Sequence, residues 1–217
     1  MNHHNLIARC QKAATSIRPL SVGEAFRRSH AFIFGAGHIS KSLSKVATLA
    51  GFNSVVIDNR DTFANRERFP EAVAVHAAEY EEVFPRLAIT ETSYIIIVTR
   101  GHRDDMRVLE LSIATEARYI AMIGSKRKVL NVIRELEKQG IARQAFERIH
   151  APMGLDIGAI SPEEIAISVT AEMIAVRRNA GSNWRASAHI WDVKSRAAIP
   201  CAIGRSNDGK QGCICCS

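Results

Sequence analysis

Ala31-Phe32-Ile33-Phe34-Gly35-Ala36-Gly37-His38-Ile39-Ser40-Lys41-Ser42-Leu43 is the stretch that decides how this chain folds. Four apolar residues in a row, stopped by Gly35, read as a strand buried on both faces, the kind found in parallel sheets. Directly after the glycines, Ile39, Leu43, Val46, Ala47 and Ala50 recur at helical spacing until Gly51 closes the run. The stretch is therefore strand, glycine turn, helix. Glycine lets the backbone turn tightly and approach a phosphate, and the first helical turn leaves N–H groups without intrahelical partners. Gly35, Ala36, Gly37, His38 and Ile39 are accordingly the first candidate binding residues. Ser40 stands where the dinucleotide-binding pattern has its third glycine, which weakens the case for close helix–strand packing and leaves the phosphate argument standing.

Working outward, Ser54-Val55-Val56-Ile57 reads as a second strand that ends at Asp58, 21 residues beyond Gly37. A carboxylate there is placed to accept hydrogen bonds from a ribose hydroxyl. Arg60 could instead pair with a 2′-phosphate, which Asp58 should repel, so the balance leans to an unphosphorylated ribose. Asn59 completes this candidate set. Ala72–Val75 is a weaker third strand, Glu79–Leu87 a short acidic helix, and Tyr94–Val98 the strongest strand of all. A helix over Asp104–Thr115, a strand over Tyr119–Ile123 and a basic helix from Lys126 to Gly140 follow. Ser161-Pro162-Glu163-Glu164 then supplies an N-cap, a proline at the first helical position and a glutamate three residues on. Ile165, Val169, Met173 and Val176 continue it along one face.

Strand and helix alternating in this way predict an α/β fold: a Rossmann-like doubly wound parallel sheet over 31–179. Residues 1–30 are expected to be a helical N-terminal extension. Residues 180–217 are expected to be an irregular, flexible tail holding four of the five cysteines. Two further loops fall at strand ends, where open α/β sheets place ligands. Thr99, Arg100 and His102 follow the strongest strand; Gly124, Ser125 and Lys126 follow the next. Cations at the start of the basic helix oppose its dipole, which argues for an anion nearby. Gly154-Leu155-Asp156-Ile157-Gly158-Ala159 reads as an ordered structural loop.

The net charge of +7 does not make a nucleic-acid binder. Residues 31–179 hold 19 Lys/Arg against 19 Asp/Glu, so the basic excess belongs to the two ends. A binder of nucleic acid should carry its basic stripe, with aromatic residues, on the folded surface. No apolar run is long enough to span a membrane, and no signal peptide is evident at the N-terminus, so a cytoplasmic location is expected. Cys213-Ile214-Cys215-Cys216 matches no zinc spacing, and neither a metal site nor catalytic residues are assigned.

Several separated motifs in order resemble the C-terminal Rossmann domain of the XdhC/CoxI family, accessory proteins of xanthine dehydrogenase and related molybdenum hydroxylases. They are Phe32-Ile33-Phe34-Gly35-Ala36-Gly37-His38, Asp58-Asn59-Arg60 with Arg68-Phe69-Pro70, Ile123-Gly124-Ser125-Lys126-Arg127, and Ile149-His150-Ala151-Pro152-Met153-Gly154-Leu155-Asp156-Ile157-Gly158-Ala159 with Ser161-Pro162-Glu163-Glu164-Ile165-Ala166. The resemblance implies a non-catalytic chaperone that binds molybdenum cofactor, receives help from a cysteine desulfurase in its sulfuration, and delivers it to an apo-molybdenum hydroxylase. Relatives commonly carry an N-terminal domain with a cofactor-associated cysteine; here about 30 residues precede the first strand and Cys10 is no convincing substitute, so either another chain supplies that part or this protein handles a different ligand. Two alternatives stay open. One is an NAD(P)-dependent oxidoreductase with His38 or His102 as acid–base; the other is a regulatory subunit that senses a nucleotide. A homodimer is expected, because the apolar final helix needs cover.

Overall fold

Apolar runs alternating with amphipathic ones can bury themselves only as a sheet between two helical layers, and that is the arrangement found. The computed structural model describes residues 29–180. The strands are β1 (His30–Phe34), β2 (Asn53–Asp58), β3 (Ala74–Ala77), β4 (Tyr94–Ile97), β5 (Tyr119–Met122) and β6 (Ile149–His150). The helices are α1 (His38–Leu49), α2 (Tyr80–Val83), α3 (His102–Ile113), α4 (Lys126–Lys138) and α5 (Pro162–Arg177). All strand pairs are parallel and the order across the sheet is β3-β2-β1-β4-β5-β6. This is the Rossmann order, as expected. Connections leave β1 and β4 in opposite directions, so a crevice opens at the carboxyl ends of these two neighbours.

Side chains alternate across the sheet with the period of two that strands impose. Phe32, Phe34, Ile95, Ile97, Ile120 and Met122 pack against α2, α3 and α4, through Tyr80, Val108, Leu109, Val129 and Val132. Ile33, Val56, Ile96, Tyr119 and Ala121 face α1 and α5, through Leu43, Ala47, Ala166, Val169 and Met173. Fully burying each Val, Leu or Met of this kind contributes about 1.5–3 kcal/mol. The final helix thus finds its cover on the sheet and on α1. Only Ile167, 53% exposed, and Ile160 just before the helix, 87% exposed, turn outward.

Four elements differ from the sequence reading. The third strand is displaced to Ala74–Ala77, because its register is set by β2, with Val55 opposite Ala74 and Ile57 opposite His76. The acidic helix is a single turn that tightens into a 3-10 turn at Phe84–Arg86, where Pro85 interrupts it. α3 begins two residues early, since Gly101 adopts φ +100° and makes His102 helical. β6 is new, a two-residue strand beside β5. The loop after it is held by the buried Glu172 of α5. Its carboxylate accepts from the Gly154 N–H at 2.6 Å and the Tyr119 hydroxyl at 2.6 Å, and meets His150 Nδ1 at 2.8 Å. The capping box expected at Ser161 and Glu164 is present. Residues 1–28 and 181–217, with the expected N-terminal extension, the tail and all five cysteines, lie outside the described residues.

Candidate functional site

The crevice between β1 and β4 is built from the turn that opened the sequence reading. Gly35 is buried, has φ +107°, and lies so close to β4 that a Cβ would overlap the Val98 carbonyl oxygen. This glycine serves the joint between the two halves of the sheet. Gly37 is different: it caps α1 with an extended backbone, and a Cβ there would meet nothing within 4 Å. Ser40, in the place of the third glycine, is fully buried against the sheet, so a small residue suffices for the close packing.

The backbone donors of the turn divide into spent and available. Gly35 N–H bonds the Ile57 carbonyl at 2.7 Å, and Ala36 N–H bonds Asp58 Oδ2 at 2.8 Å. The first helical bond runs from Lys41 N–H to the Gly37 carbonyl at 3.1 Å. Gly37, His38 and Ile39 therefore keep N–H groups with no partner among the described residues, at the positive end of a 12-residue helix. Such a terminus is suited to an anion. His38 is exposed at its first position.

Asp58 closes the other side of the turn. Besides Ala36 N–H on Oδ2, it accepts from Arg60 N–H at 3.0 Å and Arg60 Nε at 2.8 Å on Oδ1, and from Arg60 Nη2 at 2.8 Å on Oδ2. Burial pushes the carboxyl up. The hydrogen bonds from the Arg60 guanidinium and the Ala36 N–H outweigh it and hold Asp58 below its usual value. Arg60 lies over the Phe63 ring at 3.9 Å, with Arg68 on the same ring at 5.1 Å. Arg68 Nη2 also donates to the Ala36 carbonyl at 3.2 Å. Asn59 bonds Glu79 at 3.2 Å and so ties the end of β2 to the start of α2.

On the β4–β5 side the expected loop residues are organised by Asp105, which the sequence reading passed over, and by Lys128, one of the cations expected at the start of the basic helix. Thr99 donates its hydroxyl to Asp105, and Asp105 forms an ion pair with Lys128. Asp105 is fully buried; burial pushes its carboxyl up, and Lys128 and Thr99 only partly offset this. Gly124 has φ +151° and lets the Lys128 stem lie where a Cβ would stand, 2.9 Å from Cδ. Ser125 caps α4 by accepting from Lys128 N–H at 3.3 Å. Arg100, His102 and Lys126 are exposed. The anion inferred from cations at the α4 start is thus supplied in part by the chain itself, through Asp105. Its signal was faint: an aspartate in the first turn of α3 and a lysine two residues past Lys126. Phe63 and Arg68 left no signal beyond the Arg68-Phe69-Pro70 motif.

One continuous set results. Gly35 abuts Thr99, Thr99 holds Asp105, and Asp105 holds Lys128 beside Gly124, while Ala36 is bonded to Asp58, which Arg60 clamps. A family model described as the XdhC Rossmann domain matches residues 31–173. The chain belongs to the XdhC Rossmann-domain family. It is 34% identical over 154 residues to the uncharacterized protein YqeB of Escherichia coli K12, matching 70% of this chain and 28% of that protein. It is 27% identical over 146 residues to a probable xanthine dehydrogenase subunit of Bacillus subtilis, matching 67% of this chain and 42% of that one. The crystal structure of a xanthine dehydrogenase from Bacillus halodurans superposes with a TM-score of 0.63 and 28% identity, over 71% of this chain and 44% of that chain. The chain thus spans less than half the length of these relatives. No helix among the described residues of this XdhC domain is long and apolar enough to cross a membrane, and no cluster of three metal-ligating side chains occurs among them.

Proposed function

We propose that this XdhC domain is an accessory factor for a molybdenum hydroxylase of the xanthine dehydrogenase type, holding a phosphate-bearing ligand at the β1–α1 turn. One observation carries the reading: in a domain of this family, Gly37, His38 and Ile39 present N–H groups with no partner among the described residues at the mouth of the β1–β4 crevice, beside space that no Cβ fills. The phosphate of molybdenum cofactor fits that donor set. Residues 29–180 contain no cysteine, so these residues suit the pterin phosphate and offer no thiolate to the metal. The cofactor's metal chemistry is supplied to the hydroxylase that receives it. This chain's residues bind and orient: the three N–H groups donate hydrogen bonds to the phosphate, the Asp58–Arg60 clamp fixes the turn, and the Asp105–Lys128 pair fixes the facing loops. Sulfuration by a cysteine desulfurase and delivery to an apo-hydroxylase are the partner steps that follow from this role.

Protein purified anaerobically from its own cells should release a molybdopterin derivative detectable by mass spectrometry, and should co-purify with a hydroxylase subunit. Release of NAD or NADP alone, with no such partner, would turn the assignment to a nucleotide sensor or an oxidoreductase. The dinucleotide-type strand order favours that second reading.

A further inference from the structure

We propose that the ligand group read at the end of β2 is a second phosphate, so that a nucleotide phosphorylated on its ribose is taken in preference to one with a bare 2′,3′-diol. This rests on the reading that the β1–α1 turn holds a ligand phosphate.

A carboxylate at this place recognises a diol by accepting from its hydroxyls, which requires unused acceptor sites. An ionised carboxylate has about four. Those of Asp58 are occupied by Ala36 N–H and Arg60 Nη2 on one oxygen, and by Arg60 N–H and Nε on the other. A diol would have to break the clamp that shapes the turn itself. Asp58 is in addition buried, at 1% exposure. The aspartate is therefore a brace for the turn, and its charge is already met by Arg60.

Arg60 is the reverse case. Nε and Nη2 are spent on Asp58, while Nη1 makes no bond among the described residues, and the side chain is 24% exposed. Its plane is fixed twice, by the fork onto Asp58 and by the Phe63 ring beneath it. A guanidinium held flat with a free edge is preorganised for phosphate oxygens. Arg68 adds a second positive charge on the same ring and beside the turn. Of the nearby carboxylates, Asp61 accepts from Thr62 N–H at 2.6 Å, and Asp104 pairs with Arg107 at 3.4 Å while also acting on Arg60 through space. Asp58, Arg60 and Arg68 together leave one net positive charge where a ribose phosphate would lie.

The test is isothermal titration calorimetry of the full chain with four probes: NAD+, NADP+, ADP and adenosine 2′,5′-bisphosphate. NADP+ is expected to bind at least tenfold more tightly than NAD+, and the bisphosphate more tightly than ADP. In Arg60→Gln, checked for native circular dichroism, both ratios should fall to about one whatever the absolute affinities. Arg68→Gln serves as a second variant, expected to reduce the ratios in part. Equal or tighter binding of NAD+ and ADP would overturn this inference and leave the phosphate-binding turn intact. Failure of all four probes to bind would also overturn this inference, while the phosphate-binding reading of the turn is decided separately by the release of a molybdopterin derivative.

Discussion

Asp58 and Asp105 are both buried carboxylates near the carboxyl edge of the sheet, each paired with one cation, yet their proton affinities move in opposite directions. Burial pushes each up. At Asp58 the Arg60 fork and two backbone N–H groups outweigh burial, and its pKa lies below 3.8. At Asp105 burial prevails over Lys128 and Thr99, and its pKa lies above 3.8. The difference is in the donors. Backbone N–H groups cannot swing away, and a bidentate guanidinium adds no slack, whereas a hydroxyl and an ammonium on a four-carbon stem compensate a buried charge less completely. The β1–β2 half of the crevice is therefore the rigidly braced one, as the proposed phosphate site requires. The β4–β5 half is tied by an ion pair that the fold tolerates at some cost.

The two halves meet at Gly35, and the largest effect is expected there. Gly35→Ala combines a positive φ with overlap onto the Val98 carbonyl and should cost roughly 3–5 kcal/mol, seen as loss of cooperative urea unfolding. Lys128→Met leaves Asp105 buried without its cation and should cost about 3 kcal/mol at pH 7, most of it recovered by adding Asp105→Asn. A cost below about 1 kcal/mol would break the contrast between the halves. Asp58→Asn removes charge-assisted bonds and should cost about 2 kcal/mol.

The pH dependence sharpens the same contrast. A depressed pKa gives Asp58 a stabilising contribution that is present above 3.8 and lost as pH falls through its lower folded value. The raised pKa of Asp105 gives the opposite sign: its contribution is full below 3.8 and lost as pH rises through its higher folded value. Thermal melts across the acid range should show Asp58→Asn flattening the low-pH decline and Asp105→Asn flattening the loss on the other side. The smallest stability effect is expected at Gly37→Ala, below about 0.5 kcal/mol, because a Cβ there meets only open space. Phosphate-ligand affinity should fall at least tenfold in the same variant. Unchanged affinity would remove the turn from the binding site.

Periodicity alone showed that β1, the glycine turn and α1 follow one another, because an apolar run and a 3.6-residue repeat are local properties of the chain. Ser161-Pro162-Glu163-Glu164 was equally legible, since a capping box spans a single turn. The same is true of the parallel α/β class, which follows from alternating elements. The third strand and β6 were misplaced or missed because their residues pair by register with neighbours, Ala74 with Val55 and His150 with Ala121, and too few apolar positions mark them. At the site, the sequence by itself determined where glycine, aspartate and arginine stand. Only the tertiary structure decided their roles. Gly35 is consumed by contact with β4, Asp58 by the turn and by Arg60, and Lys128 by Asp105, because donors and acceptors are allotted by distances in space that spacing along the chain does not encode.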